Sequence, residues 1–121
     1  MSKKVLIADD EQNIVISVEF LMRREGFEVS VAHDGEAALE RIRADKPDLV
    51  LLDVMMPKKN GFDVCQEVRA DPAYAHTRIL MLTARGRDTE VAKGLALGAD
   101  GYMTKPFSTK DLVDKVRELL G

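Results

Sequence analysis

Hydrophobic positions along this 121-residue chain fall into two alternating patterns. The first is a series of short apolar runs. Val5-Leu6-Ile7-Ala8 opens it, and Phe27-Glu28-Val29-Ser30-Val31 follows with period-2 alternation. Leu49-Val50-Leu51-Leu52 and Ile79-Leu80-Met81-Leu82 are continuously apolar, and Gly101-Tyr102-Met103-Thr104 is the weakest. Continuous apolar runs suit strands covered on both faces, hence a parallel sheet. The second pattern has helical spacing. Ile14, Val18, Leu21 and Met22 form one stripe, stopped by Gly26. Ala38, Leu39 and Ile42 form a second before Lys46-Pro47, and Phe62, Cys65 and Val68 a third before Asp71-Pro72. Val91 and Leu95 form a fourth, closed by Gly98, and Leu112, Val116 and Leu119 a fifth. Ser108 with Asp111 three residues on predicts a capping box for the last helix, Asp standing in for the usual Glu. The alternation predicts an α/β fold: a (βα)5 doubly wound parallel five-stranded sheet with right-handed crossovers. It occupies residues 1–121 as a single domain, without repeat, linker or low-complexity segment.

Composition narrows the classes. A hydrophobic fraction of 45% beside a charged fraction of 32% is that of an ordinary globular domain able to bury its own core. No apolar run approaches the ~18 residues of a membrane span. The N-terminus, MSKKVLIADD, turns acidic too soon for a signal peptide. Cys65 is alone, which excludes an intramolecular disulfide and a cysteine-based zinc site and predicts a reducing, cytoplasmic setting. With 18 Lys+Arg against 21 Asp+Glu, the net charge of −3 argues against nucleic-acid binding by this domain.

The chemistry gathers where the apolar runs end. In an open α/β sheet, ligands bind beyond the carboxyl ends of the strands. Asp9, Asp10 and Glu11 follow the first run, and Asp53 and Val54-Met55-Met56-Pro57 the third. Thr83 and Ala84 follow the fourth, Lys105 and Pro106 the fifth. The second run leads into His33-Asp34-Gly35, a plain turn. A single Asp at a strand end is ordinarily a solvated turn residue or a helix cap, and Asp10 could cap the first helix. Reactive groups at four of five strand ends point instead to a site. Clustered carboxylates repel unless a cation neutralises them. Oxygen donors without His or Cys suit magnesium or calcium, and magnesium accompanies phosphate chemistry. His33 and His76 lack paired metal-ligand spacing and read as surface residues, and Cys65 reads as a small core residue.

Taken together, Asp9-Asp10, Asp53 with Met55-Met56-Pro57 and Gly61, Thr83-Ala84, and Lys105-Pro106-Phe107 resemble the receiver domain of two-component response regulators. The likeness spans residues 4–120 and keeps the order and spacing of all the motifs. It implies the flavodoxin-like strand order 2-1-3-4-5. It also implies that Asp53 accepts a phosphoryl group from a phosphohistidine on a sensor histidine kinase or histidine phosphotransfer protein. Asp10 and Asp53 would then bind Mg2+ directly, Asp9 through a coordinated water, and the backbone carbonyl of Met55 would add another oxygen. Lys105 would pair with the acceptor and then with the phosphoryl group. Thr83 would bond a phosphoryl oxygen, and the small Ala84 would leave room for it. Tyr102 sits at the switch-aromatic position, filling the space Thr83 vacates, and the Lys105–Pro106 peptide is expected to be cis.

The same resemblance implies an output surface on the fourth helix, fifth strand and fifth helix. A downstream effector or a second copy of the chain would dock there, among Arg85, Arg87, Lys93, Lys110 and Lys115 with Glu90, Asp111, Asp114 and Glu118 interleaved. Such a domain is a signalling module rather than an enzyme with an external substrate. Three rival readings fit less well. An electron carrier of flavodoxin type needs a Ser/Thr/Gly-rich phosphate loop, and Asp9-Asp10-Glu11-Gln12-Asn13 would repel a flavin phosphate. A haloacid-dehalogenase-type phosphatase wants an Asp where Met55 stands. A receiver-like interaction module without phosphorylation would not need every key residue present.

Overall fold

The computed structural model describes residues 2–84 and 88–121. Its strands are β1 (Lys4–Ala8), β2 (Glu28–Ala32), β3 (Leu49–Asp53), β4 (Arg78–Ala84) and β5 (Gly101–Lys105). They alternate with helices α1 (Gln12–Arg24), α2 (Gly35–Asp45), α3 (Gly61–Ala70), α4 (Asp88–Ala96) and α5 (Thr109–Leu120). All neighbouring strands pair in parallel, in the order β2-β1-β3-β4-β5, so the predicted doubly wound sheet is the fold observed. The strand ends differ from the sequence reading by one or two residues. Asp53, Thr83, Ala84 and Lys105 belong to the strands themselves, which ties the reactive groups to the sheet rather than to loops.

Period-2 alternation persists inside the fully buried strands and sorts their side chains between two cores. Val5, Ile7, Leu49, Leu51, Leu80 and Leu82 meet Val15, Val18, Leu21 and Met22 of α1 and Leu112 and Val116 of α5. On the opposite face, Leu6, Ala8, Val50, Leu52, Ile79 and Met81 meet Ala38, Leu39 and Ile42 of α2 and Val64, Cys65 and Val68 of α3. Cys65 is buried, and burial raises its thiol pKa, so it is an unreactive core residue.

The fourth helix departs from its predicted stripe. Leu95 is 44% exposed, Val91 is half-buried, and Gly94 is the residue that α4 buries fully among those described. A Cβ at Gly94 would sit 3.3 Å from Met81 Cγ, so the helix lies close to β4 through its glycine rather than through a leucine ridge. It is held partly from outside, by the Lys93 ammonium 4.6 Å from the Phe62 ring centre. Among the described residues, α4 thus buries less apolar side-chain surface than its stripe predicts.

Helix ends also follow local chemistry. Asp34, read as a turn residue, caps α2 by accepting the Ala37 N–H at 2.8 Å. Ser108 caps α5 by accepting the Asp111 N–H at 3.0 Å, which is half of the predicted box. The complete reciprocal box is on α3 instead: Asn60 accepts from Asp63 N, and the Asp63 carboxylate accepts from Asn60 N.

At the amino-terminal edge of the sheet, Arg69 joins segments distant in sequence. Its guanidinium donates to the carbonyls of Gly98 (2.8 Å), Tyr74 (3.2 Å) and Thr77 (2.8 Å) and to the Asp100 carboxylate (2.7 Å). Asp100 in turn accepts the Ile79 N–H at 2.8 Å. The arginine–aspartate pair is only about one-fifth exposed, so its loss removes a partly buried ion pair and three donors to backbone carbonyls. We expect Arg69→Ala to cost about 2 kcal/mol in denaturant unfolding, with a normal m-value. A change under ~0.5 kcal/mol, the range of an ordinary surface substitution, would refute that role.

Candidate functional site

The carboxyl edge of the sheet gathers the groups that the sequence singled out. Asp9 follows β1 and is fully buried, and Asp53 ends β3 at 5% exposure. Asp10 is exposed at the rim. One carboxylate oxygen from each of Asp9, Asp10 and Asp53 lies within 4.8 Å of the other two. Parallel pairing explains this convergence: Ala8 is in register with Leu52, so the residues that follow them, Asp9 and Asp53, lie side by side. Likewise Thr83 pairs with Thr104 and Ala84 with Lys105, which places the hydroxyl and the ammonium on the adjoining strands.

Lys105 reaches across this edge. Its Nζ lies 2.9 Å from Asp9 Oδ2, 2.9 Å from Glu11 Oε1 and 3.5 Å from Asp53 Oδ1, with the lysine side chain 13% exposed. Its pKa is raised: burial opposes the charge, but the close Asp9 carboxylate, the hydrogen bond that Lys105 donates to Glu11 and the field of Asp53 outweigh it. The Lys105–Pro106 peptide is cis, as the resemblance implied.

Asp53 experiences the opposite balance. Burial pushes its carboxyl up from 3.8 to about 7, with further upward pressure from Asp9. Lys105 and the Met55 N–H, which donates to Asp53 Oδ1 at 3.3 Å, only partly offset this. Both contacts fall on Oδ1, leaving Oδ2 outside them.

The remaining predicted residues are placed as follows. Asp10 does not cap α1: Glu11 is the N-cap residue, without a side-chain cap, and it is Asp9 Oδ1 that accepts the Glu11 N–H at 2.9 Å. Thr83 is buried, its hydroxyl 3.5 Å from the Met103 carbonyl. Tyr102, on β5, is 45% exposed. Ala84 and Met55 are exposed, Met55 at 62%. Arg85 and Arg87 lie outside the described residues. His33 and His76 are both exposed and outside the cluster. Glu11 is the residue whose part was missed. It was read as one acid after the pair, and nothing in local spacing shows that it meets a lysine 94 positions away.

The donor set suits a hard divalent cation. Three carboxylates without His or Cys are the chemistry that magnesium selects. Moreover, Asp9 Oδ2 is buried without a hydrogen bond of good geometry, although the Lys105 ammonium lies beside it. Among the described residues, no helix is long and apolar enough to cross a membrane.

Comparisons with known proteins place the chain in a family. The response regulator receiver domain profile matches residues 5–117. The chain is 44% identical over 120 residues to the alkaline phosphatase synthesis transcriptional regulatory protein PhoP of Bacillus subtilis (strain 168). That match covers 99% of this chain but 49% of PhoP, so the chain spans about half the length of that relative. Among solved structures it superposes on a response regulator of Chloroflexus aurantiacus J-10-fl with a TM-score of 0.95 at 36% identity, covering 99% of this chain and 98% of the other. It superposes on the chemotaxis response regulator CheY4 of Vibrio cholerae with a TM-score of 0.92 at 34% identity, covering 98% and 99%. With its sheet order, its carboxylate edge and a profile match over nearly its whole length, the chain belongs to the response regulator receiver domain family, a family of signalling domains.

Proposed function

We propose that Asp53 accepts a phosphoryl group from a phosphohistidine on a partner protein and that the resulting acyl phosphate switches the domain between two conformations. The supporting observation is a buried carboxylate at a strand end, flanked by two more carboxylates and one lysine. An Asp53 carboxylate oxygen attacks phosphorus, the phosphorus–nitrogen bond of the donor breaks, and its electron pair leaves on the imidazole, which takes up a proton. Such transfer asks mainly for alignment and charge neutralisation. Asp9, Asp10, Asp53 and the Met55 carbonyl would hold Mg2+, with Asp10 and Asp53 as direct ligands and Asp9 acting through water. When bound, Mg2+ supplies positive charge against the carboxylates and the phosphoryl oxygens. Lys105 contributes a second, permanent positive charge from the protein itself. The domain catalyses only its own phosphorylation and dephosphorylation.

The switch couples Thr83 to Tyr102. The Thr83 hydroxyl turns to a phosphoryl oxygen, and Tyr102, now 45% exposed, moves into the space that it leaves. Taking an equilibrium from 1:99 to 99:1 needs about 5.5 kcal/mol of differential interaction. Two charge-assisted hydrogen bonds, from Thr83 and Lys105, supply roughly 3–6 kcal/mol. The loosely packed α4 is the element this shift would move, together with β5 and α5. Leu95 and Tyr102 are exposed there amid Lys93, Lys110, Lys115, Asp111 and Asp114. A downstream effector or a second copy of the chain would read that surface, in the cytoplasm.

The test is incubation with acetyl phosphate and magnesium, followed by intact mass spectrometry. One phosphoryl group is expected on the unsubstituted chain and none on Asp53→Asn. Equal incorporation by both proteins would assign the acceptor elsewhere.

A further inference from the structure

We propose that Glu11 is a positioning residue that holds the Lys105 ammonium away from Asp53 in the resting protein, so that the lysine must be released from Glu11 to serve the phosphoryl group. This rests on Asp53 being the acceptor. An ammonium has three N–H donors. The two nearest carboxylate oxygens, each at 2.9 Å, belong to Asp9 and Glu11, and the acceptor is third at 3.5 Å. Asp9 cannot easily give way, because it is fully buried and its other oxygen is bound to the Glu11 N–H. Glu11 can: its side chain is 58% exposed and makes no capping bond to α1. Removing its charge therefore leaves the buried carboxylates in place and changes where the lysine rests.

Position along the chain reinforces this. Glu11 is the N-cap residue of α1, so its backbone is anchored by the helix and its carboxylate faces the end of β5 across the sheet edge. The pair joins residues 94 positions apart and spans the mouth beside Asp53. In phosphoryl transfer, negative charge on the oxygens of the transferred phosphoryl group must attract Lys105 in competition with this fixed negative charge. Glu11 thus slows capture of a phosphoryl group by holding the cation that would stabilise it.

The experiment is a double-mutant cycle on the whole chain, comparing Glu11→Gln in the Lys105 and Lys105→Ala backgrounds. Phosphorylation by acetyl phosphate is measured at saturating magnesium, so that a change in metal affinity cancels. With Lys105 present, Glu11→Gln speeds phosphorylation about two- to fivefold, the range for releasing a partly exposed ion pair. With Lys105→Ala it changes nothing. An equal change in both backgrounds, no change in either, or a slower rate with Lys105 present would each overturn the proposal. A second measurement needs no phosphoryl transfer. In metal-free, 15N-lysine-labelled protein the Lys105 Nζ resonance shifts on Glu11→Gln, and an unmoved resonance would also overturn it. Absence of phosphoryl incorporation at Asp53 in the unsubstituted chain would instead reject the acceptor assignment, which separates the two failures.

Discussion

At pH 8 and without divalent cations, Asp53→Asn melts about 15 °C above the unsubstituted chain, a shift of some 4 °C per kcal/mol in a domain of this size. The cause is a carboxylate confined among others. Burial and Asp9 raise the Asp53 carboxyl from 3.8 to about 7 in the folded protein. At ~1.36 kcal/mol per pH unit, holding it ionised costs the fold as much as about 4 kcal/mol. Below pH 4 both folded and unfolded forms carry the proton, so the group costs nothing and the two proteins melt together. As the pH rises from 4 to 7, the unfolded chain gives up its proton while the folded one retains it, and stability falls. Above pH 7 the full penalty is in place, and only there does the asparagine, of the same shape and uncharged, give its whole benefit. Magnesium stabilises the unsubstituted chain by binding its folded state, and it stabilises the Asn variant less. Differential scanning calorimetry at pH 4 and pH 8, with and without magnesium, checks all of this. A melting difference that is the same at both pH values would refute the crowded-carboxylate account.

The second large effect is expected at Gly61. This glycine opens α3, and a Cβ there would lie 2.5 Å from the Asp53 carbonyl oxygen and 2.9 Å from Val54 Cα. Neither neighbour is a flexible side-chain tip, so the backbone that carries Asp53 must move. The Gly61 N–H also donates to the Val54 carbonyl at 2.9 Å, so the clash falls on a closed hydrogen-bonded loop. Overpacking of this kind costs about 3 kcal/mol. We therefore expect Gly61→Ala to lose about that much stability and to phosphorylate at least about tenfold more slowly, since small misplacements of reacting groups weigh heavily on rate. Urea unfolding and acetyl phosphate kinetics provide the two readings. A variant of unchanged stability would contradict the close approach, and one that is destabilised but fully active would separate α3 packing from the placement of Asp53.

Much of the fold was legible in the sequence because its cause is local and periodic. Each of the four strongest apolar runs is a strand, and the burial of β3 from end to end follows from Leu49-Val50-Leu51-Leu52. The α4 stripe misled because helical spacing reports apolar residues without reporting what they face. Gly94 brings the helix close to Met81, and Leu95 is left outside. The capping box was placed on Ser108, whose partner residue has only one of the two bonds, while Asn60 and Asp63 have both. Sequence spacing shows that such bonds are possible; the path of the chain into the helix decides which of them form.

What the sequence by itself determined is the alternation of elements and the kinds of chemical group at their ends: Asp9, Asp10, Asp53, Thr83 and Lys105. Strand periodicity and the geometry of parallel sheets are sufficient to put such residues along one edge. Only the tertiary structure decided how charge is shared there. It buried Asp9 and Asp53 while leaving Asp10 at the rim, and it set Lys105 closer to Asp9 and Glu11 than to Asp53. Those distances depend on side chains from opposite ends of the chain, brought together by a packed sheet. Electrostatic energy varies with separation and burial, and neither quantity is written in the order of residues.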